Sequence, residues 1–182
     1  MTAGPAGRWL KARATLGLTL AIVAIAFYFD KIHPSLVHQD IGSIDKIIVH
    51  KQQRTMAVYE QGKLIKSYPI SLGADPIGHK SQEGDGKTPE GNYAIDWVHP
   101  DSSYHKAVRI SYPNAADRHN AEEKGVTPGG DIMIHGMPNG FGWLYPILAK
   151  IDWTQGCIAV SNTAMEEIEL AVKVGTAITI EP

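Results

Sequence analysis

The chain contains one cysteine, Cys157, in the segment Asp152-Trp153-Thr154-Gln155-Gly156-Cys157-Ile158-Ala159-Val160. An imidazole lies upstream in Asp131-Ile132-Met133-Ile134-His135-Gly136. Both segments read as ends of short apolar strands, each delivering one reactive side chain beside a glycine. An imidazole held next to a thiol takes its proton and leaves a thiolate, the nucleophile of acyl-transfer chemistry. That pairing predicts a Cys157 that alkylates below the pH expected of a free thiol. A buried, inert cysteine acting as a small hydrophobe explains the residue equally well without chemistry.

Positioning the two side chains requires a mostly β chain. Ile47-Ile48-Val49, Thr55 to Tyr59, Leu64 to Ile70, Gly91 to Val98 and Ala107 to Tyr112 have strand composition. Glu60-Gln61-Gly62-Lys63 reads as a hairpin turn, and Ala177 to Ile180 as a closing strand. Two helices fit. Asn114 to Lys124 opens on a capping Asn and stops before Gly125; Thr163 to Val174 opens on Thr163-x-x-Glu166 and stops before Gly175. Met165, Ile168, Leu170, Ala171 and Val172 form the apolar face of the second. Many short strands with few helices predict a β-rich mixed α/β fold, a β-sandwich with a few flanking helices rather than a doubly wound sheet.

The 182 residues carry 17 Lys+Arg against 19 Asp+Glu, a formal net charge of −2. This argues against a nucleic-acid partner, which needs a basic face. The length fits one medium domain plus an appendage. Arg8, Lys11 and Arg13 precede Ala14 to Phe29, which is uncharged, and Asp30 and Lys31 close the run. Basic residues ahead of an apolar run hold the N-terminus in the cytoplasm and send the rest across. Ala24-Ile25-Ala26 fits a cleaved signal. Trp9, Leu10 and Phe27-Tyr28-Phe29 fit a retained inner-membrane anchor, the favoured reading; a buried core helix fits neither the terminal position nor the basic flank. Residues 1–30 are therefore expected as anchor or signal, 31–44 as a linker, and 45–182 as a periplasmic or otherwise extracytoplasmic functional domain. In an oxidising compartment an unpaired cysteine is a free reactive thiol or half of an intermolecular bridge.

Other motifs do not carry the function. Gly84-Asp85-Gly86-Lys87-Thr88 ends like a phosphate-binding loop, but Ser81 stands where the first glycine belongs and Pro89 follows. His79, His99, His105 and His119 lack metal-ligand spacing and read as singly exposed. Lys63, Lys66, Lys87 and Arg109 read as a solvated face. Trp97, Trp143 and Trp153 are expected in the core, with a cleft as the alternative for the last two.

The ordered segments carry a resemblance. His135-Gly136, a loop, then Thr154-x-Gly156-Cys157 and Asn162 resemble the signature of the YkuD-type L,D-transpeptidases. Thr88-Pro89-Glu90-Gly91-Asn92-Tyr93 is similar to that family's Thr-Pro-x-Gly-x-Tyr segment, and Pro128 to Gly136 also matches. The resemblance covers most of Asp45 to Pro182. It implies a cysteine transpeptidase of peptidoglycan stem peptides: Cys157 attacks the carbonyl between meso-diaminopimelic acid and D-Ala, giving a thioester. His135 would take the thiol proton and protonate the leaving amine, with the Gly136 carbonyl orienting its ring. Backbone N–H groups of Gly156 and Cys157 would hold the oxyanion. Independently, glycine beside a thiol leaves room for substrate and permits a tight turn. Thr154 either bonds near the thiolate or pins its loop; Asn162 is expected to brace the turn before its helix ahead of touching substrate. A second amine or water resolves the thioester, and no metal or organic cofactor is implied.

Two departures bear on the acceptor. The family often has histidine where this chain has Gln155, and usually arginine where it has Ala159. Losing that guanidinium removes a fork for carboxylate. The Ala-for-Arg pattern resembles a subgroup that cuts peptidoglycan links, so a carboxypeptidase, endopeptidase or amidase activity is the alternative. A wall-binding module without turnover is the third reading, and the intact Cys157–His135 pair argues against it.

Overall fold

A computed structural model describes residues 5–182, with side chains from residue 15 onward. The N-terminal helix α1 spans Pro5–Phe27 and continues through a π-helical turn, Tyr28–Ile32, into the short helix α2, His33–Val37. The basic flank Arg8, Lys11 and Arg13, with Trp9 and Leu10, lies outside the residues whose side chains are described. Thr15–Val37 is long and apolar enough to cross a membrane by length and composition. Leu16, Leu18, Leu20, Ile22, Val23 and Ile25 are all more than half exposed, so this is not a core helix.

Eight strands follow: β1 Lys46–His50, β2 Thr55–Glu60, β3 Lys63–Pro69, β4 Gly91–His99, β5 Ala107–Ile110, β6 Met133–His135, β7 Ile158–Ala159 and β8 Ala177–Glu181. They form one mixed sheet in the order β3-β2-β1-β8-β4-β5-β6-β7. Only β1–β8 and β6–β7 run parallel. The predicted hairpin is a two-residue turn, Gln61-Gly62, with φ of +51° and +77°, as a primed turn requires. β1 and β8 alternate buried and exposed residues, putting Ile47, Val49, Ile178 and Ile180 into the core.

The mixed α/β fold is as predicted, and its layering comes from curling of a single sheet. The register shift between Ile95 and Trp97 bends β4, which pairs with β8 along one stretch and β5 along another. Beyond β3 the chain reaches β7, where Ser71 and Ala159 exchange backbone hydrogen bonds of 2.9 and 2.8 Å. Both halves share one core that includes Val58, Ile110, Ile134, Ile158 and Ile178.

Helix α3, Ala115–Glu123, opens on Asn114 as expected: its Oδ1 accepts from Ala116 N and Asp117 N, and the Asp117 carboxylate accepts from Asn114 N. Helix α4 is the short Tyr145–Leu148. Helix α5, Asn162–Ala171, starts one residue earlier than expected and is capped by Ser161, whose Oγ accepts from Ala164 N. Glu166 does not close a capping box, because with Ser161 as the cap the third helical position is Ala164; the Glu166 carboxylate is instead held by Lys106 and His105. Met165, Ile168, Ala171 and Val172 are buried as expected, whereas Leu170 is 64% exposed on the other side of the helix. Residues 31–44 pack on α5 through side chains: Ser35 Oγ donates to Glu166, and the Gln39 N–H to Glu167.

Candidate active site

Strands β6 and β7 are parallel neighbours, with Ile134 opposite Ile158 and His135 opposite Ala159. Ile134 and Ile158 are fully buried in the core, so alternation puts His135 and Cys157 on the other face. There both line a cleft of about 530 Å³, together with His99, Ser102, Ser103, Tyr104, Asp131, Met133, Trp153, Thr154 and Gln155.

His135 is only 5% exposed. Its Nδ1 lies 2.7 Å from the Gly136 carbonyl. A carbonyl only accepts, so Nδ1 carries the N–H, and the neutral ring keeps Nε2 as its base. The Tyr104 and Trp153 rings pack on it at centroid distances of 4.6 and 5.8 Å. Burial pushes the His135 pKa below the ordinary imidazole value, against the opposing bond to Gly136.

The Cys157 Sγ–H donates to the Asp131 carbonyl at 3.7 Å. Burial pushes this thiol above its ordinary value; the Met133 N–H and the Lys80 charge pull it down, and the Asp131 charge adds to the rise. The two shifts point the same way, each favouring the uncharged form, a thiol and a neutral imidazole in one cleft. Both directions run against the thiolate expected from pairing alone, because desolvation disfavours the charged form of each group.

Thr154 pins the loop. Its hydroxyl donates to the Cys157 carbonyl at 2.7 Å and accepts the Gly156 N–H at 3.1 Å. Of the two backbone donors expected at the oxyanion, Gly156 N–H is thus engaged within the loop, and Cys157 N–H remains the candidate. Gly156 has φ +120°, and a Cβ there would sit 2.6 Å from the Lys87 carbonyl. The glycine therefore makes room for the chain's own backbone rather than for substrate. Gly136 is equally constrained, since a Cβ would meet Asn162 Oδ1 at 2.7 Å. Asn162 is buried away from the cleft lining: Oδ1 accepts from Met137 N and Nδ2 donates to the Asp30 carbonyl, so it braces the chain after His135.

Several residues depart from their sequence readings. His105 is not singly exposed; it is 7% exposed, with Nε2 2.8 Å from Glu166. His79 lies 3.2 Å from Asp117, while His99 reaches the cleft wall. Trp97 and Trp143 are 42% and 52% exposed rather than core, and Trp153 lines the cleft. Lys66 and Lys87 are paired with Glu167 and Asp75, and Arg109 with Asp96. Lys51 and Lys80, both buried, carried no sequence signal: Lys51 bonds Gly78, Thr88 and Glu90, and Lys80 bonds Asp85. Tyr104, Ser102 and Ser103 also went unnoticed, because nothing in their local sequence sets a cleft loop apart from any other loop.

Ala159 is 1% exposed, wedged in the ladder between His135 and Ser71. The cleft lining contains neither lysine nor arginine.

Residues 44–180 match the family described as L,D-transpeptidase catalytic domain, YkuD. A protein of Escherichia coli (strain K12) named "Putative L,D-transpeptidase YafK" is 35% identical over 137 residues, 71% of this chain and 48% of that protein. The chain thus spans about half the length of the curated relatives it matches. Among solved structures, the helical cell shape determining protein Pgp2 from Campylobacter jejuni is 26% identical with a TM-score of 0.57, covering 81% of this chain and 52% of that one. An L,D-transpeptidase from Mycobacterium smegmatis, 16% identical with a TM-score of 0.51 over 75% of this chain and 58% of that one, shares the fold.

Proposed function

This chain belongs to the L,D-transpeptidase catalytic-domain family, and on that footing we propose that it is an extracytoplasmic cysteine acyltransferase of peptidoglycan stem peptides, held at the inner membrane by its N-terminal helix. The observation that carries this reading is the delivery of His135 and Cys157 into one cleft by adjacent parallel strands. His135 Nε2 removes the thiol proton as Sγ attacks the carbonyl between meso-diaminopimelic acid and D-Ala. The Cys157 N–H, the donor left once Gly156 N–H is engaged by Thr154, serves the oxygen that gains charge. The tetrahedral intermediate collapses as His135 returns the proton to the leaving D-Ala amine, leaving a thioester on Cys157. A second amine, or water, attacks that thioester with His135 again as base, and Sγ leaves to take the proton back.

Hydrolysis is the second reading, and one observation favours it. Without a lysine or arginine in the lining, and with Ala159 buried where the family usually has arginine, the cleft offers no cation to fork the carboxylate of an incoming amino acid. An acceptor lacking that carboxylate, including water, is then the better fit.

Incubating the full chain in detergent or lipid with purified sacculi and muropeptides, and reading products by mass spectrometry, tests both. New cross-links or D-amino-acid exchange support transfer, and shortened stems or released adducts support hydrolysis. Unchanged substrate, with the same null result for Cys157→Ser and His135→Ala, would sink the enzymatic reading.

A further inference from the structure

The end of the N-terminal helix is bolted to one particular loop. Asp30 is 2% exposed; its Oδ1 accepts the Gly142 N–H at 3.2 Å, and its carbonyl accepts from Asn162 Nδ2 at 3.2 Å. Lys31 Nζ donates to Asn139 Oδ1 at 2.7 Å. The helix runs without interruption into this docked turn. A buried aspartate bonded at both its side chain and its carbonyl fixes the height of the loop relative to the helix.

What that loop exposes is unusual for a water-facing segment. Phe141 is 50% exposed, Trp143 52%, Ile147 63% and Ile151 53%. Trp143 shares a groove of about 390 Å³ with Phe29 and His33 from the helix end. Phe27, Tyr28, Phe29 and Ile32 on the helix side are themselves 41–58% exposed. Lys150, also exposed, makes no ion pair among the described residues. Aromatic rings flanking an apolar helix, with a lysine beside them, match the composition that settles at the headgroup level of a bilayer.

We propose that the Phe141–Ile151 segment is a membrane-contact surface: with the helix in the bilayer, Phe141, Trp143 and Ile147 rest in the lipid interface and seat the catalytic domain on the membrane. The occupant is the bilayer itself, because the exposed helix that needs an apolar surrounding is hydrogen-bonded to this loop at that level. The inference rests on the retained-anchor reading above.

The test separates the two. In a Cys157→Ser background of the full chain, single cysteines are placed at Ile25, Trp143, Ile147 and, as a water-facing control, Ile77, which is 82% exposed. Each is labelled with an environment-sensitive fluorophore and the protein reconstituted in vesicles of phosphatidylethanolamine and phosphatidylglycerol. Labels at positions 143 and 147 are expected to shift to the blue, to be quenched several-fold more by headgroup-level nitroxide lipid than the label at 77, and to resist aqueous iodide. A lipid-protected label at 25 with labels at 143 and 147 as iodide-accessible as that at 77 overturns the proposal and leaves the anchor standing. An iodide-accessible label at 25 overturns the anchor, and the proposal with it. Protection at 143 and 147 that disappears on dilution to one protein per vesicle assigns the surface to a second copy instead.

Discussion

Asn162 holds Met137 across 25 residues of sequence, its Oδ1 accepting the Met137 N–H at 2.7 Å in a fully buried bond. The bond fixes the chain where it leaves His135 and Gly136. The same side chain reaches back through Nδ2 to Asp30, so a single amide ties the base-bearing strand to the end of the N-terminal helix.

Replacing Asn162 with Ala leaves the buried Met137 N–H and Asp30 carbonyl without this partner. A buried group stripped of its hydrogen bond costs about 1–3 kcal/mol, or roughly 2–4 °C per kcal/mol for a domain of this size. We predict a lower melting temperature in detergent, and a turnover rate that falls more than substrate affinity does, because the side chain positions His135 and stays out of the cleft. An unchanged melting temperature would refute the brace.

Gly156 tests a different constraint. Its φ of +120° and the 2.6 Å approach of a Cβ to the Lys87 carbonyl leave no low-energy place for alanine. Strain of this kind costs about 1–3 kcal/mol before the clash is counted. Gly156→Ala is expected to destabilise the fold and to slow Cys157 alkylation in the same variant, since the loop holding the sulfur has to move. A soluble, equally stable variant with normal alkylation kinetics would show that the glycine is dispensable.

The strands and the two positions that meet in one cleft were legible because they rest on local signals: alternation for the strands, and the glycine flanks of Cys157 and His135. Tyr104, Trp153 and Ser102 were not, since they reach the cleft through loops whose direction depends on distant bonds such as Asn139 N to the Ser103 carbonyl. Leu170 was misread because five apolar residues in a short helix do not all fit one face at 3.6 residues per turn. His105 looked like an exposed loop residue because Glu166, its partner, lies 61 residues away in sequence. The directions in which the Cys157 and His135 pKa values shift were out of reach for the same kind of reason: the sequence shows which groups are present, not how much water the fold leaves them.

Asp85 links pH to stability. Burial alone would raise its pKa, but hydrogen bonds from Lys80 and from the backbone of Lys87, Ser81 and Gln82 outweigh it and hold the carboxyl at about 2. A depressed folded-state value stabilises the protein above the unfolded value of 3.8, and this contribution is lost as pH falls toward about 2. Its size is roughly 2 kcal/mol. Asp85→Asn should therefore unfold at lower urea than wild type at pH 7, with the gap closing on acidification. A gap that stays constant from neutral pH down to pH 2 would rule out the charge as its source.

The pH behaviour of the pair itself follows from burial under Tyr104 and Trp153. Because the His135 pKa is depressed, the imidazole stays a base below the pH at which an exposed histidine would protonate. The acid limb of kcat/KM is then expected below about 6.5, the ordinary histidine value. The Cys157 pKa is raised, so iodoacetamide should react with the folded protein at a midpoint above that of the same chain in denaturant. Tyr104→Ala removes the ring 4.6 Å from the imidazole and admits water to it. Its acid limb should move up toward the ordinary value, whereas a purely structural role for Tyr104 would lower the rate without moving the limb. A wild-type alkylation midpoint below that of the denatured chain would instead reveal a preformed thiolate–imidazolium pair and reverse the order of proton transfer and attack argued from burial.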